Sequence, residues 1–304
     1  MSVNASPSTR AYARQQGVDL DALGAATGRN TLAREDVDWH LSGETAAPAT
    51  DHSRYWNVDH AAYGPVSEEP LSRMAQVAAG NLGAANAMIP QVTHHDRADM
   101  RALEAFRSSL KAEAEAQERG TRLTALAFHV KALAHCLQEF PRFNASLSAD
   151  GETLISKHFV HVGIAVDTPH GLMVPVIRDA DRKGLWRIAE EISDLAARAQ
   201  ARKIRSEEMG GASMSISSLG GIGGTAFTPI VNPPELAILG LTRMETVPVW
   251  EDGDWTPVAM VPLDLSYDHR VLNGADAARF LTRYAALLGD PRRLVLASLL
   301  SGAS

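Results

Sequence analysis

A histidine near the C-terminus stands among charged residues in the segment SYDHRVLNG, residues 266–274. His269 lies between Asp268 and Arg270, directly after a run that is mainly apolar. An imidazole titrates near neutrality, at a reference pKa of about 6.5, so it can take a proton from a hydroxyl or a thiol at pH 7. The pattern therefore indicates either a general base or a core histidine that is satisfied by backbone groups.

Two adjacent serines form a second candidate site. Ser217 and Ser218 end the strand-like run SMSISSL and precede the glycine-rich segment GGIGG. That segment does not match the pattern GxGxxG between a strand and a helix, and the pattern G-x-S-x-G of a nucleophilic serine is absent. The simpler interpretation is a turn between two strands. A serine hydroxyl beside such a turn is also able to donate a hydrogen bond to a developing oxyanion.

Metal binding is an alternative use of the histidines. His94 and His95 are neighbours in IPQVTHHD, and neighbouring residues on a strand point to opposite faces of the sheet. One ion therefore cannot easily bind both, and no further ligand spacing supports a metal site. Cys136 is the single cysteine and lies in an apolar helical pattern, which favours a small buried hydrophobe. We expect no metal.

Composition limits the class of protein. The chain has 304 residues, 45% of them hydrophobic, which is enough for a large domain and a smaller one. A net charge of -7 argues against nucleic acid as the main partner. No run of about eighteen apolar residues predicts a membrane span. The N-terminus lacks the apolar segment of a secretory signal, and a single cysteine suits a reducing compartment, so we expect a cytoplasmic protein.

The pattern divides the chain into three parts. Residues 5–42 are predicted to form a small helical unit, with Ser6 as an N-cap and Pro7 at the first helical position. Residues 43–56 are small, polar and contain proline, which indicates a linker. Residues 57–304 carry the pattern of a larger α/β domain.

Helix-like and strand-like segments alternate in this larger domain. Apolar residues recur at helical spacing in LTALAFHVKALAHCL, LWRIAEEISDLAARAQA and ADAARFLTRYAALLG. Runs typical of strands are HVGIAVDT, GLMVPVI, SMSISSL, ELAILGL and VAMVPLDLSYD. His269 and Ser217 both follow or end such runs, so we expect both at strand termini.

Several segments resemble the dihydrolipoyl acyltransferase core of 2-oxo-acid dehydrogenase complexes. SYDHRVLNGADAARF resembles the family's DHR-x-x-D-G signature, and SISSLGGIGGTAFTPIVNPPELAILG, HVGIAVDTPHGLMVPVI and EFPRFNASL agree with it in order. The resemblance covers about residues 57–298 and is greatest for the pyruvate, or acetyl, branch. Residues 5–42 resemble the family's peripheral subunit-binding domain, which docks the decarboxylase or dihydrolipoamide dehydrogenase component.

This resemblance implies a chloramphenicol acetyltransferase-like catalytic domain, a mixed sheet with flanking helices, after a small all-α domain. It also implies a homotrimer that builds a larger core, with active sites between subunits. Carried over, His269 would be the general base, Ser217 of a neighbouring subunit the oxyanion donor, and Asn273 a polar positioning residue. The activity would be that of a dihydrolipoyllysine-residue acetyltransferase, which moves an acetyl group between S-acetyl-dihydrolipoyl and coenzyme A without a metal.

The sequence departs from the family pattern at several places. Asn273 replaces the signature aspartate, and residues 83–86 lack an arginine and a tryptophan that acetyl-branch relatives often carry. No lipoyl domain is present, so we expect the lipoyl group in trans, from the lipoyl domain of another chain. The altered residues 83–86 and the missing lipoyl domain keep a second hypothesis open, a non-catalytic core or partner-docking subunit of the same complex. Retention of both Ser217 and His269 favours the enzyme.

Overall fold

The computed structural model describes residues 3–27, 31–42, 58–116 and 120–295. The chain divides into two compact units, Met1–Pro70 and Leu71–Ser304. The predicted linker, residues 43–56, lies outside the described residues, so that assignment stays a prediction.

The first unit consists mainly of short helices. Its elements are β1 (Asn4–Ala5), α1 (Pro7–Gln15), α2 (Leu20–Thr27), β2 (Thr31–Leu32), α3 (Arg34–Ser42) and a 3-10 turn at His60–Tyr63. Helix α1 starts where the sequence predicts, because Pro7 is its first residue and the Ser6 hydroxyl accepts a hydrogen bond from the Thr9 N–H at 3.1 Å. The parallel pair β1–β2 and helix α2 were not predicted, since strands of two residues carry no periodicity.

The second unit holds the larger set of elements. Its helices are α4 (Arg73–Met88), α5 (Arg101–Ala116), α6 (Ala125–Glu139), α7 (Leu185–Gln200) and α8 (Gly274–Gly289). Its strands are β3 (Gln91–Asp99), β4 (Ala145–Leu147), β5 (Leu154–Ser156), β6 (Val162–Ala165), β7 (Val176–Ile177), β8 (Met214–Ser218), β9 (Ala237–Leu241), β10 (Glu245–Glu251) and β11 (Asp254–Asp268), with a 3-10 turn at Ser206–Glu208.

Seven of these strands form one mixed sheet. Strands β10, β11, β9, β8, β6 and β7 lie in that order, and β3 pairs with the second half of β11. Strands β6, β8 and β9 are parallel, whereas β11 is antiparallel to β3, β9 and β10. Strands β4 and β5 form a separate hairpin. The predicted mixed sheet with flanking helices is confirmed, although β7 is much shorter than the run GLMVPVI suggests, and β10 was not predicted.

Side-chain alternation gives this sheet two different faces. On one face, Met214 and Ile216 of β8 and Leu263 and Leu265 of β11 join the main hydrophobic core with helices α5 to α8. The opposite face, here called the polar face, carries the alternate residues of the same strands. These residues are Thr93 and His95 of β3, Asp264 and Ser266 of β11, Ile238 and Gly240 of β9, and Ser215 and Ser217 of β8.

The space around Gly163 of β6 shows how closely the polar face is packed. A Cβ atom on Gly163 would lie 2.3 Å from the Ser215 hydroxyl oxygen and 3.1 Å from Cγ1 of Val174. Gly163→Ala therefore forces the Ser215 hydroxyl to rotate away from Glu235, to which it donates at 2.9 Å. We expect the free energy of unfolding to fall by about 1–3 kcal/mol in denaturant titrations.

Gly80→Ala is the matched control, because Gly80 lies inside α4 with open space around a Cβ atom. Removing a helix-interior glycine should leave stability unchanged or raise it by about 1 kcal/mol. Equal stability of the two variants would show that β6 moves to accept the extra methyl group.

Candidate active site

His269 directly follows the last residue of β11, at the predicted strand terminus. Its N–H donates to the carbonyl of Pro90 at 3.2 Å, and its ring lies 5.7 Å from the ring of Tyr267, centroid to centroid. Its two neighbours in the chain form an ion pair. Arg270 Nη2 donates to Asp268 Oδ2 at 2.6 Å, and Arg270 Nε donates to Asp268 Oδ1 at 3.0 Å. Since the Asp268 side chain is buried, this pair fixes the backbone on both sides of an exposed imidazole.

A cavity of about 710 Å³ lies beside this loop. Asp268, Arg270 and Glu235 border it, together with the C-terminal end of α4 and the β4–β5 hairpin. The volume is in the range of small-molecule sites, so the His269 loop adjoins space large enough for part of a substrate.

Asn273 is the N-cap of helix α8. Its side-chain oxygen accepts a hydrogen bond from the Asp276 N–H at 3.0 Å, and the Asp276 carboxylate accepts one from the Asn273 N–H at 3.3 Å. This reciprocal capping box satisfies two otherwise unpaired backbone donors. The position predicted to orient His269 therefore ends the His269 loop by starting a helix.

Ser217 is the fourth residue of β8 and points to the polar face. The sheet register places it beside Gly240, which in turn pairs with Asp264, which pairs with His95. Ser218 points to the opposite face, where it borders two cavities of about 170 and 260 Å³ that also share Leu126. The two neighbouring serines thus face different environments.

Within one chain, Ser217 and His269 are not brought together. Ser217 on β8 is two strand spacings away from β11. The β11 residue at the same level as Ser217 is Asp264, and His269 lies five residues further along the chain. Strand dimensions put the two residues on the order of 15–20 Å apart. A hydrogen bond between them requires two copies of the chain.

The other two predictions about sites concern His94, His95 and Cys136. His94 and His95 are neighbours on β3, and no group of three or more metal-ligating side chains occurs in the part of the chain that the structure describes. Cys136 is fully buried in α6, as predicted, and burial raises the pKa of its thiol. The described residues also contain no helix long and apolar enough to cross a membrane.

Sequence reasoning missed two buried carboxyl groups, Asp264 on the polar face and Glu235 beside it. Asp264 contacts His95, which is 169 residues away along the chain, with Oδ1 2.6 Å from His95 Nδ1. Glu235 accepts a hydrogen bond from the Ser215 hydroxyl at 2.9 Å, while its Oε2 has no hydrogen-bond partner among the described residues. Burial raises the pKa of Glu235 to about 7 against the opposing effect of the Ser215 hydrogen bond. The one indication of a buried carboxyl group at Asp264 in the sequence is that this acidic residue stands in an otherwise apolar strand pattern.

Comparison with known proteins assigns the family. The family model described as "2-oxoacid dehydrogenases acyltransferase (catalytic domain)" matches residues 63–296. The dihydrolipoyllysine-residue acetyltransferase component of the pyruvate dehydrogenase complex of Azotobacter vinelandii is 45% identical over 97% of this chain and 47% of its own length. The chain spans about half the length of the first curated relatives it matches.

Solved structures agree in fold. One comes from a study of a serine, a histidine and an asparagine in the mechanism of Azotobacter vinelandii dihydrolipoamide acetyltransferase, and another is a cubic core of the pyruvate dehydrogenase multienzyme complex. Each is 50% identical, with a TM-score of 0.76, and covers 78% of this chain and 97% of the other. The chain belongs to the 2-oxoacid dehydrogenase acyltransferase family, whose catalytic domain it contains.

The cap at Asn273 predicts a defined effect on stability. Asn273→Ala removes the acceptor for the Asp276 N–H, so we expect the free energy of unfolding to fall by about 1 kcal/mol. Asn273→Asp retains an acceptor and places a negative charge at the helix N-terminus, so its stability should match or exceed that of the parent. Thermal and denaturant unfolding check both values. Equal destabilisation by the two variants would contradict the capping role.

The buried carboxyl of Glu235 predicts a pH dependence. Because its pKa rises from 4.5 to about 7 on folding, the folded state holds more protons than the unfolded state between these values, and stability falls as pH rises through that window. The contribution amounts to about 3 kcal/mol and levels off above pH 7. Glu235→Gln should remove this fall, as unfolding titrations at pH 5 and pH 8 would show. An unchanged slope in the variant would contradict the assignment.

Proposed function

We propose that this chain is the catalytic part of an acetyltransferase that moves acetyl groups between S-acetyl-dihydrolipoyl and coenzyme A. One observation carries the proposal. In the related Azotobacter vinelandii enzyme, the serine, histidine and asparagine whose catalytic roles were investigated are 52 and four residues apart. Ser217, His269 and Asn273 have the same types and the same spacing.

In the proposed reaction, His269 Nε2 or Nδ1 takes the proton from the coenzyme A thiol, whose reference pKa is about 8.5 by analogy with cysteine. The resulting thiolate attacks the thioester carbonyl of S-acetyl-dihydrolipoyl. The carbonyl oxygen becomes an oxyanion, to which the Ser217 hydroxyl donates a hydrogen bond. The tetrahedral intermediate then expels the dihydrolipoyl thiolate, which recovers the proton from the His269 imidazolium.

We further propose that the site forms between copies of the chain in a homotrimer. The wide separation of Ser217 and His269 within one chain supports this arrangement, because a direct contact would need a neighbour's histidine. The relative that forms a cubic core supports assembly of trimers into a larger core. The lipoyl group would come from the lipoyl domain of another chain, in the cytoplasm.

Within the first unit, residues 5–42 are proposed to form a subunit-binding-like domain. Its short helices around the small core of Val3, Ala13, Leu23, Leu32 and Val37 support this proposal. The partner would be the decarboxylase or the dihydrolipoamide dehydrogenase component.

An acetyl-transfer assay tests the catalytic proposal. The purified chain is incubated with acetyl-CoA and dihydrolipoamide, and S-acetyl-dihydrolipoamide is measured. We expect turnover that Ser217→Ala lowers by about 100- to 1000-fold and His269→Ala by orders of magnitude. Ser218→Ala is the matched control, since its hydroxyl points to the other face of the sheet, and its rate should stay within about 3-fold.

Co-expression of Ser217→Ala and His269→Ala chains tests where the site lies. Each variant alone lacks one group, whereas a mixed trimer contains some sites with both groups. Random mixing should restore about a quarter of the parental rate if Ser217 and His269 come from different subunits. Absence of turnover in the parent chain would instead favour the non-catalytic core subunit.

A further inference from the structure

The connection that leaves Ser217 is long and has little secondary structure. It runs from the end of β8 at Ser218 to the start of β9 at Ala237, 18 residues without a helix or strand. Connections of this length are uncommon in compact domains unless they serve a function, and their backbone needs fixed contacts to hold one conformation. The contacts that hold this connection therefore bear on the position of Ser217.

Two side chains, Asp264 of the polar face and Gln91 at the start of β3, hold the middle of the connection. Oδ2 of Asp264 accepts a hydrogen bond from the Phe227 N–H at 3.2 Å, and Oε1 of Gln91 accepts one from the Val231 N–H at 2.7 Å. The first anchor lies in the row of Ser217, because Asp264 pairs with Gly240 and Gly240 with Ser217.

The ring of Phe227 occupies the gap that Gly240 leaves in this row. A Cβ atom on Gly240 would lie 2.7 and 2.8 Å from Cε1 and Cζ of Phe227, and 3.1 Å from Cβ of Asp264. The ring thus lies over Gly240, the residue that separates Asp264 from Ser217 in this row. The backbone N–H of the same residue is the group that Asp264 holds.

His95 completes the arrangement. The Asp264 side chain is 1% exposed, and its two oxygens contact the Phe227 N–H and His95 Nδ1. With its proton on Nδ1, the His95 ring donates a hydrogen bond to Oδ1 of Asp264 at 2.6 Å. This hydrogen bond offsets part of the cost of burying the carboxyl group.

We propose that Asp264, paired with His95, is a positioning residue for the acyl-transfer step. Its carboxylate anchors the connection that follows Ser217, so that the Phe227 ring stays over Gly240 and the Ser217 hydroxyl keeps its direction on the polar face. The inference rests on the proposed function of Ser217, and it assigns to His95 a role other than metal binding.

Two substitutions of Asp264 distinguish loss of the hydrogen-bond acceptor from loss of the carboxyl group. Asp264→Ala removes the acceptor for the Phe227 N–H. In Asp264→Asn, the amide oxygen still accepts from the Phe227 N–H, and the amide nitrogen donates to the lone pair of His95 Nδ1 in the tautomer with its proton on Nε2. We expect Asp264→Ala to lower kcat for acetyl transfer about 10-fold with KM changed less than about 2-fold, and Asp264→Asn to restore kcat to within about 2-fold.

Hydrogen exchange measured by mass spectrometry tests the hydrogen bond between the Phe227 N–H and Asp264 independently of activity. The peptide containing the Phe227 amide should exchange about 10-fold faster in Asp264→Ala and at the parental rate in Asp264→Asn. Unchanged exchange in Asp264→Ala would overturn the proposal, as would parental kcat in that variant.

Lys131→Met is the matched control, because it removes a different buried anchor of a loop. Lys131 Nζ donates to the carbonyls of Asp181 and Lys183 at 2.7 and 2.8 Å, on a connection that does not follow Ser217. Its kcat should stay within about 2-fold of the parent, and an equal loss in both variants would overturn a specific role for Asp264. If the parent shows no turnover, that result counts against the proposed function. The hydrogen-exchange result still tests the Asp264 anchor, because it does not depend on turnover.

Discussion

The alternation of side chains along β8 and β11 is the constraint on which the rest of the second unit depends. Because successive residues point to opposite faces, the same strands supply a hydrophobic core on one side and polar groups on the other. Ile216 and Leu265 pack with the helices. Their neighbours in the chain, Ser217 and Asp264, point to the polar face. A shift of register by one residue would bury the hydroxyl and expose the core, so the packing of the core fixes the direction of Ser217.

The described contacts divide the polar face into two regions with different chemistry. Around Ser217, the anchored connection and the Phe227 ring restrict the backbone. Around Ser215, the buried carboxyl of Glu235 has one oxygen paired and one unpaired, an unfavourable arrangement in a medium of low polarity. Its pKa of about 7 follows from this environment, because the protonated form costs less to bury than the charged one. Strand β8 therefore carries the Ser217 hydroxyl and, two residues earlier, the Ser215 hydroxyl that contacts a titratable carboxyl group.

The sequence predicted those features that depend on local pattern. Helices α6 and α7 have apolar residues at regular spacing, and Ser6 and Pro7 mark the start of α1 by well-understood capping chemistry. Residue type and position at the end of apolar runs made Ser217 and His269 candidates, and the resemblance to the family assigned their roles. The roles assigned to them stay predictions.

Other features could not be predicted because they depend on residues that meet only in the folded chain. Asp264 and His95 lie on antiparallel strands far apart in sequence, and nothing local to either residue indicates the other. Strand β7 is only two residues long, because the rest of the run GLMVPVI makes only isolated bridges, Met173 with Val166 and Pro175 with Met209. The separation of Ser217 from His269 is likewise a property of the whole sheet.

The helix cap at Asn273 bears on how the signature of this family varies over evolution. Aspartate and asparagine are both among the strongest N-cap residues, so either one starts α8 at the same place. An exchange between them changes the charge at the end of the His269 loop by one unit and leaves the architecture intact. Charge and shape are thus separable at this position, and selection can act on the acid–base chemistry of the loop without disturbing the helix that supports it.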